Sequence, residues 1–164
     1  SYDNRADESN IRHSAARGGG GLRDIGVYTL GGVRFVTGLE PKRIISKQLT
    51  REHGVDVHAL VTAEFDGFTY DSTTSMRMTP FQCAEFHGEE AIARLSAPYN
   101  PLVYGEARLE VLRKDGSSEV FRWPSANHYV LQVEAFQRAM QGESYGCPLE
   151  FSRGTQAMLD EILA

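Results

Sequence analysis

The spacing of apolar positions changes several times along the chain. Residues 1–17 are polar and show no period, which predicts an extended lead-in ahead of a domain spanning 18–164. From Leu22 to Thr37 the positions Leu22, Ile25, Val33 and Val36 recur at helical spacing. Gly38 is placed for a C-terminal cap, and Pro41 prevents continuation. Between Arg43 and Trp123 the pattern is that of strands. Val55, Val57, Ala59, Val61, Ala63 and Phe65 alternate strictly with mostly polar residues. The Asp-Gly pairs in "FDGF" (65–68) and "KDGS" (114–117) are hairpin signals, so the pairing is antiparallel. After Pro124 the helical period returns. Tyr129, Val133, Phe136 and Met140 form a stripe closed by Gly142. A last helix is expected from about Ser152, its N-cap, with Met158, Leu159, Ile162 and Leu163 on one side.

One helix, six or seven strands and two further helices define an α+β fold. The expected architecture is an open-faced, mostly antiparallel sheet of about six strands with helices packed on one face. Leu60, Phe68, Tyr70 and Phe81 lie in or beside the strands, so the uncovered face suits burial against a second copy, in a homodimer or higher oligomer. A merely solvated face is the alternative.

Composition narrows the function classes. With 164 residues one domain is the natural expectation, and 41% apolar with 24% charged residues is ordinary for a globular chain. The net charge of −5 argues against non-specific binding to nucleic acid or a membrane surface. No apolar run is long enough to span a bilayer, and the start "SYDNRADESN" is no signal peptide. Cys83 and Cys147 stand far apart, without the pattern of a disulfide scaffold. A cytoplasmic location with reduced thiols is expected. Ser1 in place of an initiator Met suggests a piece of a longer protein.

The candidate chemistry begins at Gly18–Gly21. The run "GGGGLRD" is not a dinucleotide fingerprint: no apolar strand precedes it, and the third required glycine is missing. Glycines before a helix can bring backbone N–H groups close to an anion or cofactor, which makes Gly19 and Gly20 candidates; a tight packed turn is the alternative. Asp24 and Tyr28 are four residues apart on one helix face. A phenol can donate a proton to a substrate oxygen, given a neighbouring cation, and a carboxylate can hold a substrate hydroxyl. The plainer account is an acidic residue favoured in a first helical turn and a half-buried tyrosine. Asn127 and His128 stand at a helix entrance, as caps or as residues facing a cleft. Glu85, His87 and Glu89 alternate, but no metal-binding motif is present and no metal is expected; nucleophilic catalysis has no motif either.

The order of these residues resembles the C-terminal domain of the glucose–fructose oxidoreductase and inositol dehydrogenase family of NAD(P)-dependent oxidoreductases. The family motif runs N-[IW]-R, five residues, then G-G-[AG]-L-x-D-[IV]-G-x-[YH]. Here it is Asn10, Ile11, Arg12, "HSAAR", then "GGGGLRDIGVY". "GVDVHALVTAEFDG", "HYVLQVEAFQRAMQGE" and "SRGTQAMLDEILA" resemble the family's central hairpin, late helix and closing helix. The resemblance implies that Tyr28 gives or takes a proton at the substrate oxygen while hydride moves to or from the nicotinamide. It implies that Asp24 orients the substrate, with Asn127, His128 and Arg12 as further substrate contacts. The substrate would be a sugar, polyol or dihydrodiol. The family's proline before the glycines is absent here. So are its Rossmann domain, which holds NAD or NADP, and the lysine of its Glu-Lys-Pro motif. The expectation is therefore a substrate and oligomerisation domain that alone neither binds the cofactor tightly nor turns over. The alternative is a stand-alone, non-catalytic dimerisation or ligand-binding module.

Overall fold

The strand alternation centred on Val55–Phe65 organises the first part of the fold. The structure is a computed structural model and describes residues 1–7 and 9–164. Strands β1 (Arg43–Glu52), β2 (Val55–Glu64) and β3 (Thr69–Ser75) form an antiparallel sheet with β2 in the middle. Pairing runs from Arg43 opposite Glu64 to Glu52 opposite Val55, and from Glu64 opposite Thr69 to His58 opposite Ser75. Val57, Ala59, Val61, Ala63 and Phe65 are all buried, as their period-two spacing requires.

Helix α1 (Val27–Thr37) and helix α3 (Leu149–Leu163) belong to the same unit as this sheet. Leu22, Leu30 and Val33 meet Met158, Leu159 and Ile162 over the buried face of β2 in one apolar cluster. Fully burying each such side chain contributes roughly 1.5–3 kcal/mol. The guanidinium of Arg34 joins the two helices. It donates to the Phe151 carbonyl at 2.8 Å and to Thr155 Oγ1, pairs with Glu40, and lies 4.5 Å from the centre of the Phe151 ring. A Cβ on Gly154 would displace this group.

Several sequence expectations shift. Val36 is exposed rather than part of the core stripe. Phe68 and Tyr70, expected on the open face, pack against the core instead: Phe68 stacks on Phe65 at 4.8 Å and Tyr70 meets Phe65 edge-on at 6.1 Å. Burial accordingly pushes the Tyr70 phenol up from its ordinary value. Helix α3 begins at Leu149 with Pro148 before it, so Ser152 lies inside the helix and is not its N-cap. Proline suits that boundary because it supplies no N–H that would need a partner.

Among the described residues seven strands divide into two sheets, in place of one sheet of about six. Residues 80–146 form a second compact unit. It holds the antiparallel meander β4 (Cys83–His87), β5 (Ala91–Ser96), β6 (Ala107–Arg113) and β7 (Ser118–Trp123), then helix α2 (His128–Met140). The "KDGS" hairpin joins β6 to β7 with Gly116 at φ 83°. The α2 stripe of Tyr129, Val133, Phe136 and Met140 is exposed. Cys83 and Cys147 are free thiols. Among the described residues no helix is long and apolar enough to cross a membrane.

Candidate functional site

The site grows from the lead-in. Asn10 accepts the Arg12 N–H on its side chain at 3.1 Å and opens a 3-10 turn over Ile11–His13. A second such turn, Ala15–Arg17, ends at Gly18 in the left-handed region. The chain then doubles back: the N–H groups of Gly19 and Gly20 donate to Ser14 and Arg12 carbonyls at 2.9 and 3.0 Å. A Cβ on Gly19 would strike the Arg12 carbonyl oxygen, and one on Gly20 would strike Asp56 Oδ1. Gly20 also has φ 123°, which side-chain-bearing residues rarely adopt. The glycines are therefore explained by contacts inside the protein. Their amides, which the sequence offers to a cofactor, are spent on protein carbonyls.

Asp56 is the anchor of this turn. It sits on β2, only 2% exposed, and its Oδ2 accepts the Leu22 N–H at 2.7 Å. A carboxylate at a helix start is favoured by the helix dipole. The helix does not begin as a regular α-helix. Leu22–Gly26 forms a π-helical turn that continues into α1. Such turns recur at functional sites because they re-aim side chains. Gly26 fits this bend, since a Cβ there would press on Leu22 and Leu159.

Asp24 lies within the π-turn and Tyr28 at the start of α1. The Tyr2 hydroxyl donates to Asp24 Oδ2 at 2.7 Å, and Arg12 Nε approaches the same oxygen at 2.8 Å. The Arg12 contact is an ion pair whose N–H is not aligned on the oxygen. Asp24 raises the Arg12 guanidinium further above its ordinary range, and Tyr2 and Tyr28 lie within electrostatic reach of the same group. Tyr28 is 45% exposed.

The structure thus brings Arg12, Asp24 and Tyr28 together. Asn127 belongs to the second unit, where its Oδ1 caps α2 by accepting the N–H groups of Tyr129 and Val130 at 3.1 and 3.3 Å. His128 begins α2, with its ring 4.0 Å from that of Tyr129. Two site residues escape sequence reasoning. Tyr2 carries no signal in a polar lead-in. Asp56 carries a faint one, a carboxylate flanked by two valines at the start of an apolar strand. Glu85 pairs with Arg94 at 2.8 Å, and no cluster of three or more His, Cys, Asp or Glu side chains among the described residues could hold a metal. The N–H groups of Gly18, Gly19, Gly20 and Leu22 are bonded within the protein.

An α+β domain with an Asn-x-Arg turn, a glycine run and an Asp–Tyr pair on one helix start is the class defined by these observations. Residues 1–94 match the model of the GFO/IDH/MocA C-terminal domain, and the chain belongs to that family. The Rhizobium meliloti protein described as uncharacterized oxidoreductase ORF334 is 29% identical over 165 residues, covering 95% of this chain and 49% of that protein. The chain thus spans about half the length of this curated relative. The fold is shared with KijD10, a 3-ketoreductase from Actinomadura kijaniata solved with NADP, at a TM-score of 0.81 and 23% identity; the match covers 99% of this chain and 50% of that one. It is shared also with the UDP-N-acetylglucosamine 3-dehydrogenase GnnA from Acidithiobacillus ferrooxidans, at a TM-score of 0.79 and 12% identity, over 98% of this chain and 49% of that one.

Proposed function

We propose that this chain is the substrate-binding and oligomerisation domain of a longer NAD(P)-dependent oxidoreductase that acts on a sugar, polyol or dihydrodiol. The observation that carries the reading is the Asp24 carboxylate, held at one oxygen by Tyr2 and Arg12 on the helix start that also bears Tyr28. The names of the relatives support it, and that of GnnA, a UDP-N-acetylglucosamine 3-dehydrogenase, favours a nucleotide-linked sugar among the substrate classes.

In this reading the nicotinamide, held by the rest of the longer protein, supplies or accepts the hydride. Tyr28 moves a proton at the substrate oxygen. A phenol with an ordinary value near 10 needs a nearby cation for that work. In the longer protein a lysine from the cofactor-binding part would supply it, and Arg12 lies within electrostatic reach of Tyr28. Asp24 accepts a neighbouring substrate hydroxyl and so fixes the reacting carbon. Gly19 and Gly20 serve by close approach of their backbone, not by donating amides to the cofactor. In this reading the protein works in the cytoplasm, where free thiols stay reduced.

The test is turnover by the full-length protein. Nicotinamide absorbance would be followed with NAD and NADP against hexoses, polyols, a dihydrodiol, UDP-N-acetylglucosamine and dTDP-glucose. Reduction of the cofactor with at least one class is expected. Silence across the whole panel would favour a non-catalytic binding module.

A further inference from the structure

We propose that Tyr2 and Arg12 are positioning residues for the Asp24 carboxylate, which makes the lead-in segment a working part of the site. The proposal deepens the functional reading and rests on Asp24 acting as the group that orients substrate. Both partners converge on Oδ2, the Tyr2 hydroxyl at 2.7 Å and Arg12 Nε at 2.8 Å. In the functional reading the substrate hydroxyl binds this same carboxylate.

The two partners do different things. The Arg12 contact is off-axis, so it supplies charge without fixing direction. The Tyr2 hydroxyl is a directional donor to an ionised acceptor, which makes a short and strong hydrogen bond. Together they hold the carboxylate in place. A substrate hydroxyl must be held to within about 0.5 Å for efficient chemistry, and an unsupported aspartate does not achieve that.

Each positioning residue is itself held. The Tyr2 N–H donates to the Ser75 carbonyl at 3.0 Å, continuing the pairing at the end of β3. Its ring packs against the small cluster of Val55, Val57 and Met76. Arg12 is fixed through Asn10, whose Oδ1 accepts both the Arg12 backbone N–H at 3.1 Å and its Nη1 at 3.3 Å. The support for Asp24 thus comes from two separate stretches of the lead-in, so loss of either removes a distinct restraint.

The test reads the side-chain geometry of Asp24 and does not need turnover. In the full 164-residue chain labelled with 13C and 15N, the three-bond coupling from the Asp24 amide nitrogen to its carboxyl carbon reports χ1. A single-rotamer value is expected in the wild type and a rotamer-averaged value in Tyr2→Phe and Arg12→Gln. Arg12→Lys, which keeps the charge, should recover part of the ordering. Lys42→Gln, which removes the exposed pair with Asp66, should leave the coupling unchanged. An averaged coupling in the wild type, or an unchanged coupling in both site variants, overturns the proposal. In the full-length protein, Tyr2→Phe should lower kcat roughly 10–100-fold, the scale of a misplacement of about 1 Å, and leave KM for the nicotinamide unaltered. Equal kcat in an active wild type and Tyr2→Phe would also overturn it. If the wild type is inactive on every substrate, the oxidoreductase reading fails, and the coupling alone decides whether Asp24 is held as described.

Discussion

Gly20 shows how one residue ties sequence to site. At φ 123° and against Asp56 it admits no side chain, whereas Gly18, at φ 72°, faces open space. Gly18→Ala is expected to cost about 1–2 kcal/mol, the ordinary left-handed penalty. Gly20→Ala should cost more, because the strain of about 1–3 kcal/mol adds to displacement of Asp56 from the Leu22 amide. Urea denaturation of the two variants checks the order; equal losses would detach the glycine run from Asp56. The motif residues Asn10, Arg12, Asp24 and Tyr28 were legible because they sit at fixed short spacings. Their partners Tyr2 and Asp56 were not. Each is brought in by tertiary pairing, one along the end of β3 and one on β2, and no local pattern records such a contact.

At the scale of elements, the Asp-Gly hairpins were readable because glycine supplies the positive φ that those turns need. The β1–β2 turn was not, since His53 occupies the left-handed region at φ 51° beside Gly54, and histidine is a weak turn signal. The π-turn at Leu22–Gly26 was equally hidden, because an apolar stripe does not distinguish it from a regular helix start. The α1–α3 junction depends on Arg34, which is 3% exposed and relies on Glu40 for its counter-charge. The hydrogen bond from Arg34 holds the Glu40 carboxyl below its ordinary 4.5. A depressed carboxylate stabilises the fold above its unfolded value, and that contribution is lost as pH falls through the folded value. The wild type should therefore lose thermal stability below about pH 4.5, with a shallower decline in Glu40→Gln. Parallel melting curves of the two proteins from pH 7 to pH 3 would remove Glu40 from this role.

For the whole molecule, α+β class and antiparallel pairing followed from segregated elements and hairpins, while the division into two sheets did not. Alternation marks which residues share a face but not where the ladder breaks between β3 and β4. The exposed stripe on α2 has the same origin, since helical period predicts an apolar side without naming what covers it. We propose that the open face of the β1–β3 sheet, with Leu60 39% exposed, meets a second copy. Sedimentation should then show a homodimer or larger assembly that Leu60→Glu dissociates; identical profiles would place the contact elsewhere.

The central claim is that this helix start carries the proton chemistry of an oxidoreductase. Its most direct test is kcat of the full-length protein with and without the Tyr28 hydroxyl. Tyr28 is half exposed, so Tyr28→Phe should leave the protein folded. It should lower kcat by about 10²–10⁴-fold, the usual share of a positioned acid–base group. A folded Tyr28→Phe protein that turns over nicotinamide at the wild-type rate would contradict the account.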